Sequence, residues 1–171
     1  MCIRDRIKYI FFWGHRPRKD GQVGQSCMSQ WWESTFEVDD IQYRSAEHWM
    51  MAEKARLFKD AEVLKKILNT KSPAEAKKLG RQVRGFQPDV WDAQKYEIVK
   101  QGSFYKFSQD EKLKTYLLNT VNRVLVEASP YDKIWGIGLT KDAKNVENPN
   151  TWKGDNLLGF ALMEVRDTLA L

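Results

Sequence analysis

A glutamate and a lysine interrupt what otherwise reads as the apolar stripe of a helix. Residues Tyr43 to Phe58 (YRSAEHWMMAEKARLF) have helical composition, and Ser45 is suited to cap their first unpaired amides. At about 100° per residue, Met50, Met51, Ala55, Leu57 and Phe58 share one stripe, opposite Glu53, Arg56 and Lys59. Glu47 and Lys54 fall inside that stripe. A charge buried alone is costly, and its pKa moves toward the neutral form. A carboxyl that keeps its proton and an amine that loses one are the raw materials of acid–base and imine chemistry. A structural role fits the same residues. Glu47 in a first turn favours the helix dipole, and Lys54 can lay its stem on apolar surface with its ammonium in water.

The flanking elements must position this pair. Ile7 to Trp13 is a β-prone run, followed by a Pro- and Gly-bearing loop, Gly14 to Gln30, with no core of its own. Phe36-Glu37-Val38 and Ile41-Gln42-Tyr43 alternate around Asp39-Asp40, a hairpin that delivers Glu47 to a strand–helix junction. A second helix begins at Asp60 and buries Val63, Leu64, Ile67 and Leu68; a third opens on the capping box Ser72-Pro73-Ala74-Glu75 and runs to Gly80. Asp89 to Phe107 reads as a long helix, and Ser108-Gln109-Asp110-Glu111 as the capping box of the next, through Leu113, Leu117 and Leu118. Arg123 to Ala128 has the continuous apolar character of a buried strand. An aromatic, glycine-bearing turn (Tyr131 to Leu139) and a polar loop (Thr140 to Lys153) follow, before a last helix capped by Asp155. The sum is an α+β domain, mainly helical, with a small sheet.

Composition narrows the function classes. With 171 residues, 42% of them hydrophobic, the chain can bury one substantial core. Its seven Trp, six Tyr and eight Phe suit either a heavy core or a pocket for flat rings. A net charge of +5 and a pI of about 9.1 favour acidic ligands, but the basic residues are scattered, which fits phosphate on a small ligand as well as nucleic acid. Two cysteines without metal spacing and two histidines predict no disulfide framework, metal centre or cofactor. No run is apolar enough to cross a bilayer and no signal-peptide pattern opens the chain, so a cytoplasmic protein is expected. Residues 1–6 show no pattern and read as a possible non-native scar, leaving 7–171 as the domain.

Several blocks stand in order along the chain: Tyr43 to Lys54; Leu79-Gly80-Arg81 with Arg84; Trp91; Lys106-Phe107; Leu125-Val126-Glu127; Asp132 with Trp135-Gly136; and Asn156 to Gly159 leading into Met163 to Arg166. Together they resemble the NADAR or YbiA-like family of N-glycosidases. The resemblance implies a YbiA-like fold and hydrolysis of the bond between ribose C1 and a base-like nitrogen. Its implied substrates are phosphoribosylamino-pyrimidine intermediates of riboflavin synthesis, or ADP-ribosylated nucleobases such as guanine in nucleic acid. It also implies that Glu47 is catalytic, that Trp91 matters for activity, and that a lysine forms an imine in some members; Lys54 and Lys8 are both candidates.

That chemistry assigns expectations to particular residues. Glu47 would protonate the leaving nitrogen and later activate water. Asp132 would stabilise the cationic sugar, although an aspartate after Pro130 also suits a plain turn. Arg81 and Arg84 offer guanidinium forks for phosphate, with a solvated helix end as the alternative. Trp91 or Trp135 would stack on the base, or belong to the core. Asn156 would bond sugar hydroxyls, and Gly136 and Gly138 would permit close backbone approach or serve a tight turn. The rival in another class is a non-catalytic ADP-ribose or nucleotide-binding module.

Overall fold

The computed structural model describes residues 6–171. Strand β1 (Tyr9–Phe12) leads through a long loop with a 3₁₀ turn (Gln25–Met28) to the hairpin β2 (Phe36–Val38) and β3 (Ile41–Tyr43). Five helices follow: α1 (Ala46–Leu57), α2 (Ala61–Asn69), α3 (Pro73–Gly80), α4 (Pro88–Ser108) and α5 (Glu111–Leu118). Strand β4 (Val124–Glu127) and helix α6 (Leu157–Leu169) complete the order. The architecture is α+β and mainly helical, as expected, but the small sheet is two separate pairs. β2 and β3 form the antiparallel hairpin, while β4 returns to lie parallel to β1, with Phe12 opposite Glu127. Asp39 and Asp40 both take positive φ, the conformation a two-residue hairpin turn requires.

Helix α1 is the centre of the molecule, packed by α2, α3 and α4. Ser45 to Ala52 are buried without interruption. The expected one-sided stripe is thus corrected: this end of α1 is enclosed on every side, and Leu57 and Phe58 are only partly buried. Enclosing it requires pairing its polar groups. The Ser45 hydroxyl accepts from the His48 amide at 3.3 Å and lies 2.7 Å from His48 Nδ1, while His48 Nε2 lies 3.0 Å from the Thr70 carbonyl. Trp49 donates its indole N–H to the Ile98 carbonyl at 2.8 Å. Helix α4 can lie this close because residue 102 is glycine: a Cβ there would stand 2.3 Å from Trp49 Cδ1.

Three local expectations shift. The loop after β1 does contribute to the core, through buried Cys27 and Met28. Helix α5 is capped by Asp110, which accepts from the amides of Lys112 and Leu113, because Ser108 still belongs to α4. The N-cap position of helix α6 is Asn156 and not Asp155, and its side chain caps no helix amide. Residues 1–5 of the suspected scar lie outside the described residues; Arg6 forms an exposed ion pair with Glu147 at 3.2 Å. Among the described residues, no helix is long and apolar enough to cross a membrane.

Candidate active site

A cavity of about 800 Å³ opens beside the first turns of α1. Glu47, Met50, Met51 and Lys54 form its floor. Gln30 and Trp31, from the loop before β2, line it, as do Glu127 at the end of β4 and the turn Tyr131 to Trp135. Lys77 and Arg81, four positions apart around the end of α3, add positive charge on one side, and Trp91 of α4 adds a flat ring. Of the residues named from sequence, Glu47, Lys54, Arg81, Trp91, Asp132 and Trp135 therefore meet in one space.

Glu47 is 6% exposed. Its backbone amide donates to the Gln30 carbonyl at 3.0 Å, tying the wall loop to the helix start. Burial pushes its carboxyl up to about 7; the charge of Lys77 opposes this, Asp132 adds to it, and the Trp31 indole and Arg81 oppose it further. Glu127 is pushed up to about 8, by burial first and then by the charges of Asp132 and Glu47, against Lys77. Lys54 moves down, through burial and the nearby charge of Arg81, against Glu47. Its ammonium stands 4.5 Å from the Phe86 ring centre and 5.6 Å from that of Trp91. So the pair read from the sequence is real in space, and burial shifts each partner toward its neutral form.

Asp132 both forms the turn and lines the cavity. One oxygen accepts from the amides of Ile134 (2.9 Å) and Trp135 (2.8 Å), forming the turn, while the residue also lines the cavity. Four residues lie elsewhere. Arg84 is bound to Asp60 and Glu62 on the far side of α1's end. Asn156 is fully buried, with its amide accepting from the Glu127 N–H and donating to the Leu125 carbonyl, both at 3.0 Å. It clamps β4 from behind and has no free group for a sugar. Gly136 does not line the cavity; a Cβ there would sit 2.8 Å from the Glu127 carbonyl, so it serves the packing of the turn. Lys8 is exposed at the start of β1, outside the cavity.

Sequence reasoning gave no role to Glu127, Lys77, Gln30 or Trp31. Glu127 carried a readable signal, a lone acid in an apolar strand, the same anomaly that marked Glu47. Lys77 shared a helix face with Arg81. Nothing local marked Gln30 or Trp31. Lys106, 2% exposed, supports the wall from outside by donating to the carbonyls of Cys27 (2.6 Å) and Ser29 (2.8 Å).

A helical domain with an acid- and aromatic-lined cavity at its central helix is the class that fold and site define. The NADAR domain matches residues 11–170, and the chain belongs to that family. It is 46% identical over 166 residues to N-glycosidase R617 of Acanthamoeba polyphaga mimivirus, covering 94% of this chain and 95% of that one. N-glycosidase Npun_R5314 of Nostoc punctiforme is 32% identical over 144 residues, covering 84% of this chain and 85% of its own length. The NMR structure of the E. coli protein YbiA superposes with a TM-score of 0.75 at 27% identity, covering 95% of this chain and 85% of YbiA.

Proposed function

We propose that the protein is a hydrolase of N-glycosyl bonds, cleaving C1–N between a phosphorylated or nucleotide-linked ribose and a base-like nitrogen. The observation that carries this reading is a buried carboxyl, Glu47, held near neutrality in a cavity with flat rings and positive charge on its walls. The names of the relatives, N-glycosidases in virus and cyanobacterium, support the reaction class. Breaking the bond requires a proton for the departing nitrogen, stabilisation of a cationic sugar, and removal of a proton from water. With a pKa of about 7, Glu47 has both of its forms populated at neutral pH and is suited to either proton transfer. Asp132 brings negative charge to the cationic sugar. Lys77 and Arg81 suit a phosphate, and Trp31, Trp91 and Trp135 suit a planar base.

The substrate class this favours is a phosphoribosylamino-pyrimidine or an ADP-ribosylated nucleobase, free or in nucleic acid. The test is a panel of such ribosylated bases scored by mass spectrometry, with Glu47→Gln as the blank. Release of ribose phosphate or ADP-ribose by wild type alone supports the reading. Tight binding without release would instead support a silent nucleotide-binding module. A second route is favoured by the depressed pKa of Lys54: its amine attacks ring-opened C1 and forms an imine that water releases. Borohydride added during turnover traps sugar on the protein if this route runs, and full activity in Lys54→Ala excludes it.

A further inference from the structure

Two polar atoms in the cavity walls have no hydrogen-bond partner among the described residues: Oε2 of Glu127 and Nε2 of Gln30. Buried polar atoms are nearly always paired, so two such atoms on one cavity mark where a ligand's own polar groups belong. The backbone of Glu127 is fixed on both sides. Its N–H donates to Asn156 at 3.0 Å, and its carbonyl accepts from Ile137 at 2.9 Å. The side chain therefore projects from a rigid strand end, the kind of mounting that proton transfer needs. The charged groups acting on it are Glu47 from α1, Asp132 from the turn after β4, and Lys77 from α3. Lys54, Arg81 and Lys133 also line the cavity, but on Glu127 the two acids outweigh Lys77, so its carboxyl is the one favoured to keep a proton.

Resting on the glycosidase reading above, we propose that Glu127 is the general acid that protonates the departing nitrogen, with Glu47 as the base that activates water. In the first step the C1–N bond breaks, its electron pair stays on nitrogen, and nitrogen takes the Glu127 proton. A lone pair of the ring oxygen stabilises C1. In the second step a water oxygen bonds to C1 and a water proton passes to the Glu47 carboxylate. One water is consumed, the amine and the free sugar leave, and the proton on Glu47 returns to Glu127 through solvent. The ordering of the two acids agrees: Glu127, at about 8, stays loaded where a large share of Glu47, at about 7, is ionised.

The probe is a set of N-aryl 5-phosphoribosylamines differing only in ring substituent, so that the basicity of the departing nitrogen is graded. Glu127→Gln should slow the most basic leaving group by about 10²–10⁴-fold and the most electron-poor one by less than about tenfold. Glu47→Gln should slow the whole set. In wild type, the rate on the most basic member should fall as pH rises through about 8, and this limb should flatten on the electron-poor members. The pH readout needs no variant, so it stands even if Glu127→Gln folds poorly. Equal losses across the set, no loss at all, or a high-pH limb of unchanged depth would overturn the acid role while leaving the glycosidase reading intact. A wild-type protein that opens no member of the set counts against that reading itself, and the inference falls with it.

Discussion

Two buried acids in this chain have opposite fates. Asp60, 3% exposed, closes the far end of α1; Glu47, 6% exposed, opens the near end. Asp60 accepts from the Arg84 guanidinium, the Arg84 amide and the Val63 amide at 2.8 to 3.2 Å. Those donors, the Arg84 side chain first, hold its carboxyl well below the ordinary carboxylate range. Around Glu47 and Glu127 the donors are too few to offset burial, and both are pushed the other way. The lysines differ in partners, although burial lowers both. Lys106 is sealed in and spends its ammonium on two carbonyls, whereas Lys54 faces the cavity over two rings. Burial alone therefore does not mark a working group, nor does an unpartnered atom alone, since Arg166 Nε is one outside the cavity; the two together on the cavity wall do.

Exchanging each acid for its amide gives the largest expected separation. Glu47→Gln should lower turnover by about 10²–10⁴-fold. Asp60→Asn should leave turnover unchanged and lower the melting temperature, because Arg84 loses its buried ionic partner and keeps only exposed Glu62. Steady-state rates and thermal melts on both variants check this pair.

The pH dependence of stability separates the two regions next. Glu47 and Glu127 have folded pKa values above their ordinary 4.5, so the stability they contribute is whole below 4.5 and is lost as pH rises to about 7 and about 8. Asp60 is depressed, so its contribution is present above its ordinary 3.8 and is lost as pH falls through its folded value. The unfolding free energy from denaturant titration should fall between pH 5 and pH 8 by on the order of a few kcal/mol. The double variant Glu47→Gln, Glu127→Gln should lose much less over the same range.

Asn156→Ala tests the clamp behind the site. Removing an amide that satisfies two backbone groups of β4 should cost about 2 kcal/mol, read by chemical denaturation. The smallest effect is reserved for the two arginines. Arg81→Ala should raise KM for a phosphorylated substrate by about tenfold with little change in kcat, since a charged hydrogen bond is lost. Arg84→Ala should leave KM unchanged.

Much of this contrast was legible before the fold was known. The Ser45 cap, the Asp39-Asp40 turn and the Ser72-Pro73 start are local rules, and α1 carries Glu47 and Lys54 into the cavity as their spacing implied. What failed was anything set by distant partners. The pairing of β1 with β4 joins segments more than a hundred residues apart, so no periodicity encodes it. Arg84 and Arg81 look alike in sequence; Asp60, which binds one and leaves the other to the cavity, decides between them. Asn156 takes a left-handed backbone conformation (φ 53°) and turns its amide onto β4, where Asp155 had the more obvious capping pattern. Trp31 and Gln30 belong to a loop held by distant partners, Lys106 from α4 and the Glu47 amide from α1.

The central claim is that this cavity holds carboxyls protonated near neutral pH. Carbon-13 NMR of labelled glutamate side chains, titrated from pH 4 to pH 9 and assigned with Glu47→Gln and Glu127→Gln, reads it directly. Two carboxyl resonances should move with midpoints near 7 and 8 and vanish in the matching variants. Midpoints near the ordinary 4.5 for both residues would contradict the account.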